Sequence, residues 1–320
     1  MNGSFSMKCL ASLAACVLVS GTAAAQPSFP RKPIELVVPY PAGGGTDVLA
    51  RAFAQAATKH IPQPVVVLNK PGASGAIGWS ETLRSPADGY KVVLLATDLM
   101  TQPNMGFTQI TYADFTPIAR LNYDPAALTV RADAPWNSLE AFTQAAKKES
   151  LTIGNGGDGG AWHLAAAALE GQSGAKIVHV PFAGAGPAAL ALLGGHIDAV
   201  TVSAAEVSVY LESGKLKLIG MMADQRVPEF AATPTFKEQG MDIQIGAFRG
   251  LAVPKATPPE VVAYLAEATS KIAQEPEFRQ ALTRQRMGYA FATGPEFMQA
   301  MARDNKLYAD LIEKVGLKKQ

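Results

Sequence analysis

Cysteine is almost absent: the 320 residues hold two, Cys9 and Cys16, and both fall in an apolar leader. Once that leader is cut the chain has none, which excludes a disulfide framework, a thiol nucleophile and a cysteine metal site. Histidine is scarce too. His60, His163, His179 and His196 are scattered, without metal-ligand spacing. No G-x-S-x-G elbow occurs, and no serine sits in sequence context with a plausible histidine base. No sign of charge dominates: 28 Lys+Arg stand against 27 Asp+Glu. Lys8 is the one charge before Gln26, so its removal leaves 27 against 27 and a net charge of zero. That balance argues against nucleic acid and against a basic membrane-binding surface. Beyond the leader no apolar run is long enough to cross a bilayer.

The leader has its own logic. Lys8 supplies a positive start, residues 9–19 are apolar, and Ala23-Ala24-Ala25 is a small-residue cleavage signal. We read residues 1–25 as a secretory signal peptide. Leu13-Ala14-Ala15-Cys16 also matches a lipoprotein box, but a cut there leaves too short an apolar segment after Lys8. The expected address is the Gram-negative periplasm. About 295 residues remain, enough for a sizeable core in one large domain or two lobes.

The chain is organised around Pro41-Ala42-Gly43-Gly44-Gly45-Thr46-Asp47. An apolar run over 34–38 predicts a strand, Pro39 and Pro41 end it, and a helical pattern runs on to His60 with Thr46 and Asp47 as candidate N-caps. Such a loop presents backbone N–H groups at the positive end of a helix, where an anion binds readily. No lysine follows the glycines, so this is not a nucleotide P-loop. Gly72, Gly75 and Gly78 do not match the dinucleotide G-x-G-x-x-G spacing either.

Strand and helix then alternate. Strands are predicted over 65–68 and 90–96, giving a βαβαβ half with a parallel sheet. A second α/β half follows: strands over 126–131, 151–153, 177–180, 198–202 and 216–221, with helices between them. Asn137 and Glu140 have capping-box spacing before a helix over 138–149. Residues 243–253 form a long extended segment. After Pro254 the chain is predicted helical to its end, the last helix opened by a Thr293-Gly294-Pro295-Glu296 capping box. The expected fold class is α/β, a two-lobe periplasmic binding protein with parallel-rich sheets flanked by helices. Lobe 1 comprises 26–127 with 251–320 and lobe 2 comprises 128–250. Two extended hinge segments join them around a ligand cleft.

Strand, glycine loop and helix recur three times: at 41–47, 154–162 and 181–187. In parallel sheets such loops lie at the carboxyl ends of strands, where ligands bind. Facing one another across a cleft, they would bring several helix N-termini onto one spot and hold a carboxylate without Arg or Lys. The competing reading is that all three are connection turns.

Several segments resemble a known family, in order along the chain. They are Pro41-Ala42-Gly43-Gly44-Gly45-Thr46-Asp47-Val48-Leu49-Ala50-Arg51, Asn69-Lys70-Pro71-Gly72-Ala73-Ser74-Gly75-Ala76-Ile77-Gly78, Ala87-Asp88-Gly89-Tyr90 and Asp114-Phe115-Thr116-Pro117-Ile118. His179-Val180-Pro181-Phe182-Ala183-Gly184-Ala185-Gly186-Pro187, Gly214-Lys215-Leu216, Pro234-Thr235-Phe236-Lys237-Glu238-Gln239-Gly240 and Arg249-Gly250-Leu251-Ala252-Val253-Pro254 continue the match. Together they resemble the Bug-type extracytoplasmic binding proteins of tripartite tricarboxylate transporters, over essentially the whole chain after the leader. The resemblance implies a receptor, not an enzyme, that traps a small carboxylate. It also implies delivery to a permease of one large and one small integral subunit, with no cofactor or metal and a monomeric state. Within the family, the first loop and the loops of lobe 2 hold the carboxylate largely through backbone N–H groups and water.

The candidate contacts are then Tyr40, Ala42, Gly43, Gly44, Gly45, Thr46 and Asp47 from the first loop. Asn155, Asp158, Trp162 and His163 come from the second, and Phe182, Ala183, Gly184, Ala185 and Gly186 from the third. Ser203 and Arg249 complete the set. Each has a plainer reading. Asp47 caps its helix, Tyr40 joins the core, Trp162 and His163 belong to a first helical turn, and Glu206 is a first-turn residue after Ser203. Arg249 either clamps a second carboxylate bidentately or forms a hinge salt bridge. Asp158 and Ser203 depart from the family pattern, and with them the ligand's identity stays open. Asp158 faces solvent or meets an amine or hydroxyl. The rival functions are a receptor that presents ligand to a membrane sensor kinase and, less favoured, an exported hydrolase.

Overall fold

Ile34-Glu35-Leu36-Val37-Val38 is almost continuously buried, as a strand with parallel neighbours on both sides must be. The structure, a computed structural model, describes residues 29–314 and 316–318. The expected signal peptide lies outside those residues. The first unit holds β1 (Ile34–Val38), α1 (Gly45–Ala57), β2 (Val65–Asn69), α2 (Ala76–Arg84), β3 (Lys91–Ala96) and the one-turn α3 (Asp98–Thr101). A long strand, β4 (Phe115–Arg131), leads into α4 (Leu139–Lys148), β5 (Leu151–Asn155), α5 (Ala161–Ser173), β6 (Ile177–Pro181) and α6 (Ala185–Leu193). Then come β7 (Ala199–Ser203), α7 (Ser208–Glu212), β8 (Leu216–Met221) and β9 (Gly246–Pro254). The chain ends with α8 (Pro259–Gln274), α9 (Pro276–Arg284), β10 (Tyr289–Thr293) and α10 (Gly294–Lys314).

Two curled sheets share β4. The first runs β2-β1-β3-β9-β4-β10, parallel among β1, β2 and β3 and antiparallel beyond. The second runs β8-β4-β7-β5-β6, with β5 parallel to both β6 and β7. Residues 115–125 of β4 pair with β9, and residues 126–131 pair with β7 and β8. The C-terminal helices return to the first sheet. Leu49 and Phe53 of α1 lie in one apolar cluster with Leu265, Ile272 and Phe278 of α8 and α9. Phe53 and Phe278 meet edge to face at 6.3 Å. Burying each such side chain contributes about 1.5–3 kcal/mol. Among the described residues no helix is long and apolar enough to cross a membrane.

The structure corrects several expectations. The predicted strand over 126–131 is only the end of β4. Its first part carries Pro117, Arg120, Asn122, Asp124 and Pro125 and is interrupted by bulges near Pro117 and Arg120. Prolines and paired polar side chains hide a strand from a pattern reading. The region after Pro254 is not all helical, because β10 adds an edge strand to β4. The helix after the first loop is capped by Gly44, with Thr46 and Asp47 already inside its first turn. Ser138, not Asn137, caps α4 by accepting the N–H of Ala141 at 3.1 Å. Asn137 instead accepts a bond from Lys217 Nζ. The box before α10 forms as expected: Glu296 accepts both the N–H and the hydroxyl of Thr293 at 2.8 Å.

Candidate functional site

The carboxyl ends of β1, β5 and β6 open into the three glycine loops, each feeding a helix. In α1 the first ladder bond runs from Val48 N–H to Gly44 C=O at 3.0 Å. The N–H groups of Gly45, Thr46 and Asp47 precede it, so they have no intrahelical acceptor. Ala42, Gly43 and Gly44 are exposed along the rim. Gly43 needs its glycine, since its φ is +83°. Asp47 is 3% exposed and turns back beneath the loop. Its Oδ2 accepts the N–H of Gly43 and Nε of Arg51, both at 2.9 Å, and its Oδ1 accepts Nδ2 of Asn69 at 2.9 Å. Burial pushes its pKa up, but the bonds from Arg51, Gly43 and Asn69 outweigh it and hold the carboxyl below its ordinary range.

In the second loop Asn155 is fully buried. Its Oδ1 accepts the N–H of Gly157 at 2.9 Å, while its Nδ2 has no partner among the described residues. His163 Nδ1 accepts the N–H of Gly159 at 2.9 Å, so that nitrogen carries no proton. Burial first, and the neighbouring His179 second, push the His163 pKa down. Asp158 stays out in solvent, with Oδ1 3.9 Å from His163 Nδ1. Trp162 lies against Gly156, where an added methyl carbon would stand 2.8 Å from the indole. Its carbonyl accepts the hydroxyl of Thr201 at 2.8 Å.

In the third loop Gly184 caps α6 with φ +114°. Its N–H donates to Phe182 C=O at 2.8 Å. Ala183 and Gly186 are exposed, Phe182 is half-buried and Ala185 is buried. The second and third loops meet. A methyl carbon on Gly156 would stand 3.6 Å from Ala185 N, and one on Gly157 would stand 3.6 Å from Phe182 O.

The first loop reaches the second through a side chain that sequence reasoning missed. The hydroxyl of Tyr40 donates to Asp98 Oδ2 at 2.8 Å. The other oxygen, Oδ1, would stand 3.6 Å from a methyl carbon on Gly160, the N-cap of α5. A carboxylate of the protein itself therefore sits at the positive end of α5. Burial raises the Asp98 pKa despite the bond from Tyr40 and the field of Arg249. The available signal was a polar pair, Thr97-Asp98, directly after the buried apolar end of β3.

Arg249 stands on the first-sheet side. It is 6% exposed. Its Nη1 donates to Asn122 Oδ1 at 2.6 Å and to Asp124 Oδ2 at 2.7 Å, and its Nε donates to Thr46 Oγ1 at 3.2 Å. The salt-bridge reading of Arg249 is thus realised by Nη1. Nη2 has no bond among the described residues and lies 3.1 Å from where a methyl carbon on Gly45 would stand. Just past β7 of the second sheet, Glu206 lies within electrostatic reach of Arg249. Its Oε2 accepts the N–H of Ser203 at 3.1 Å and the Ser203 hydroxyl at 3.0 Å. That capping box commits the Ser203 side chain to its own helix turn. Glu206 is exposed to solvent. Desolvation pushes its pKa up, with Arg249 opposing and Asp124 adding to the rise. The signal for Glu206 was the spacing Ser203-x-x-Glu206.

A cavity of about 990 Å³ lies apart from these residues, lined by Tyr123, Tyr289, Asp304 and Tyr308 among others. Alternation along β4 puts Tyr123 on the face opposite Asn122 and Asp124. Among the described residues no group of three or more His, Cys, Asp or Glu could hold a metal ion.

Comparison with known proteins bears on what this arrangement is. Residues 49–317 match the model of the family described as tripartite tricarboxylate transporter family receptor. A protein of Cupriavidus necator described as UPF0065 protein in gbd 5'region is 33% identical over 299 residues, covering 91% of this chain and 90% of its own. The crystal structure of a TctC solute binding protein from Polaromonas is 62% identical with a TM-score of 0.79, covering 90% of this chain and 100% of that one. MatC from Rhodopseudomonas palustris, solved with bound malate, is 27% identical with a TM-score of 0.77, covering 89% of this chain and 100% of its own.

Proposed function

The chain belongs to the tripartite tricarboxylate transporter receptor family, and on that premise we propose that it closes its two lobes around a small organic carboxylate and hands it to the transporter's membrane permease. Family membership makes it an extracytoplasmic solute receptor and not an enzyme. The ligand set, the periplasmic export step, the monomeric state and the identity of the permease subunits are our reading.

The observation that carries the proposal is the convergence of loop, helix end and cation. Arg249 Nη2 stands beside Gly45, where α1 leaves its first N–H groups without intrahelical acceptors. We place the ligand's carboxylate there, against the N–H groups of Gly45 and Thr46. Ala185 and Gly186 at the start of α6 and the amide of Asn155 answer from the second lobe. Tyr40, Trp162 and Phe182 wall the pocket. Ala42, Gly43, Gly44, Ala183 and Gly184 give the backbone its close approach. Asp47, Asp158, His163 and Ser203 act behind this layer or outside it. The lobe division belongs to the same proposal: 26–127 with 251–320 against 128–250, after removal of 1–25. What supports a division into two lobes is that β4 exchanges one sheet for the other after Pro125, whereas β9 lies wholly in the first sheet, so residues 246–250 go with lobe 1 and the second boundary falls before Gly246. The sensor-kinase reading has no observation in its favour.

The test is thermal unfolding of residues 26–320 against a panel of organic acids, with sugars and neutral amides as controls. A ligand at 100 times its dissociation constant adds roughly 2.7 kcal/mol of stability, a shift of a few degrees for a chain this size. Protection by carboxylates alone is expected. Protection only by uncharged compounds would remove the anion site.

A further inference from the structure

We infer that the solute is a dipolar carboxylate: besides the carboxylate placed at α1, it carries a protonated amine that is received by Glu206, with Asp98 on the facing lobe. The inference rests on the receptor reading above and narrows its ligand class.

The cleft is not uniformly positive. The guanidinium of Arg249 already gives Nη1 to Asp124, so that pair is neutral as a unit. Two further carboxylates face the same space. Glu206 has Oε2 occupied by Ser203, and Oε1 has no partner among the described residues. It is solvent-reachable at the point where the second lobe faces Arg249. Asp98 uses Oδ2 for Tyr40 and presents Oδ1 toward Gly160 at the start of α5. Arg249 is within electrostatic reach of both. One donor face and one acceptor face therefore look into the cleft. Nη2 with the N-terminus of α1 forms the first, and the free Oε1 of Glu206 forms the second, while Asp98 lies on the other lobe beside Tyr40 and the start of α5.

A plain dicarboxylate fits this poorly. One of its ends would meet like charge, or would require Glu206 to take up a proton. Glu206 Oε1 is exposed and without a partner among the described residues, so a cation brought by the ligand gives it an ionic partner that water does not. The amide of Asn155, buried and without a partner for Nδ2, is a further donor at the carboxyl end of β5 and points to an acceptor on the ligand. The helix-capping bonds from Ser203 fix the Glu206 side chain in place, so the acceptor is held ready before the ligand arrives.

The experiment is calorimetric titration of residues 26–320 with matched pairs: aspartate and succinate, glutamate and glutarate, alanine and propionate, aminobenzoate and benzoate. Malate and N-acetylaspartate serve as hydroxyl and uncharged-amide controls. In at least one pair the amino compound is expected to bind about 10- to 100-fold more tightly than its partner, the size of effect a charge-assisted hydrogen bond gives. Glu206→Gln keeps an acceptor for Ser203 and is expected to erase that ratio while leaving the plain acid as tight or tighter. If plain acids bind as well as amino acids in the unmodified protein, or if malate or N-acetylaspartate matches aspartate, the inference fails and the receptor reading stands. If no carboxylate of either kind binds, the receptor reading itself fails.

Discussion

Arg249 Nη1 and Asp124 Oδ2 stand 2.7 Å apart, on two strands that pair antiparallel, with both side chains less than a tenth exposed. Asn122 shares the same guanidinium nitrogen. The pair ties β9 to β4 close to the point where β4 passes from one sheet into the other, and it also holds Thr46 at the start of α1. A structural ion pair thus lies directly beneath the proposed anion site.

Arg249→Ala leaves Asp124 buried without its partner. Such a loss costs about 3–5 kcal/mol, to be read as a lowered urea midpoint with an unchanged slope. A change below about 1 kcal/mol would show that Asp124 finds water or another donor.

Asp47→Ala removes the acceptor for Gly43, Arg51 and Asn69 and is expected to cost about 1–3 kcal/mol. The pH dependence has a definite sign. Because the folded-state pKa lies below the usual value near 3.8, the stabilisation is present above that value and is lost as pH falls through the lower folded one. Acid denaturation curves of the two proteins should therefore converge at the acid end. Curves that stay parallel would contradict the role given to the carboxylate.

His163 carries the same sign at a higher pH, although there the neutral form is the one favoured. Its folded-state pKa is depressed below the usual 6.5, so the unfolded chain takes up the proton first and stability falls as pH drops below that value. His163→Gln retains an acceptor for Gly159 and should flatten the melting temperature between pH 7 and pH 5. An unchanged slope would assign it to other groups.

Gly44→Val tests the first loop without disturbing the fold. Gly44 has φ −78° and ψ 166°, open to any residue, and an added methyl carbon would meet only Pro41 O at 3.7 Å. The variant should melt within a few degrees of the parent and lose more than about tenfold in affinity for the ligand. Gly184→Val is a poorer probe, because φ +114° strains any L side chain. Full affinity in folded Gly44→Val would remove the first loop from the site.

The α/β alternation was legible because β1, β3 and β7 are buried runs without prolines and because glycine turns separate them from amphipathic helices. The first half of β4 was not. Its buried polar residues Asn122 and Asp124 are tolerated because Arg249 and the backbone of Gly288 come from more than a hundred residues away to satisfy them, and no local pattern announces those partners. The three loops could be found from their glycines. Asp98 and Glu206 could not be weighted in the same way, since their importance arises only when α5 and Arg249 are brought beside them. Ser203 was read for its hydroxyl, yet that hydroxyl is engaged three residues on.

Ala126 donates its N–H to Ile245 C=O at 2.8 Å, so the chain departs from the first sheet and re-enters it at one place. For assembly this makes residues 126–245 a single closed excursion. Forming the β4–β9 ladder at the centre of the first sheet closes a loop over everything between those two residues. The cost of closing a loop rises only with the logarithm of its length, but it must be met before the ladder gives anything back. The expected order of folding is compaction of residues 126–245 first, which shortens the gap between β4 and β9, and completion of the first sheet last. Pulsed hydrogen exchange during refolding should find Val200 protected before Leu251.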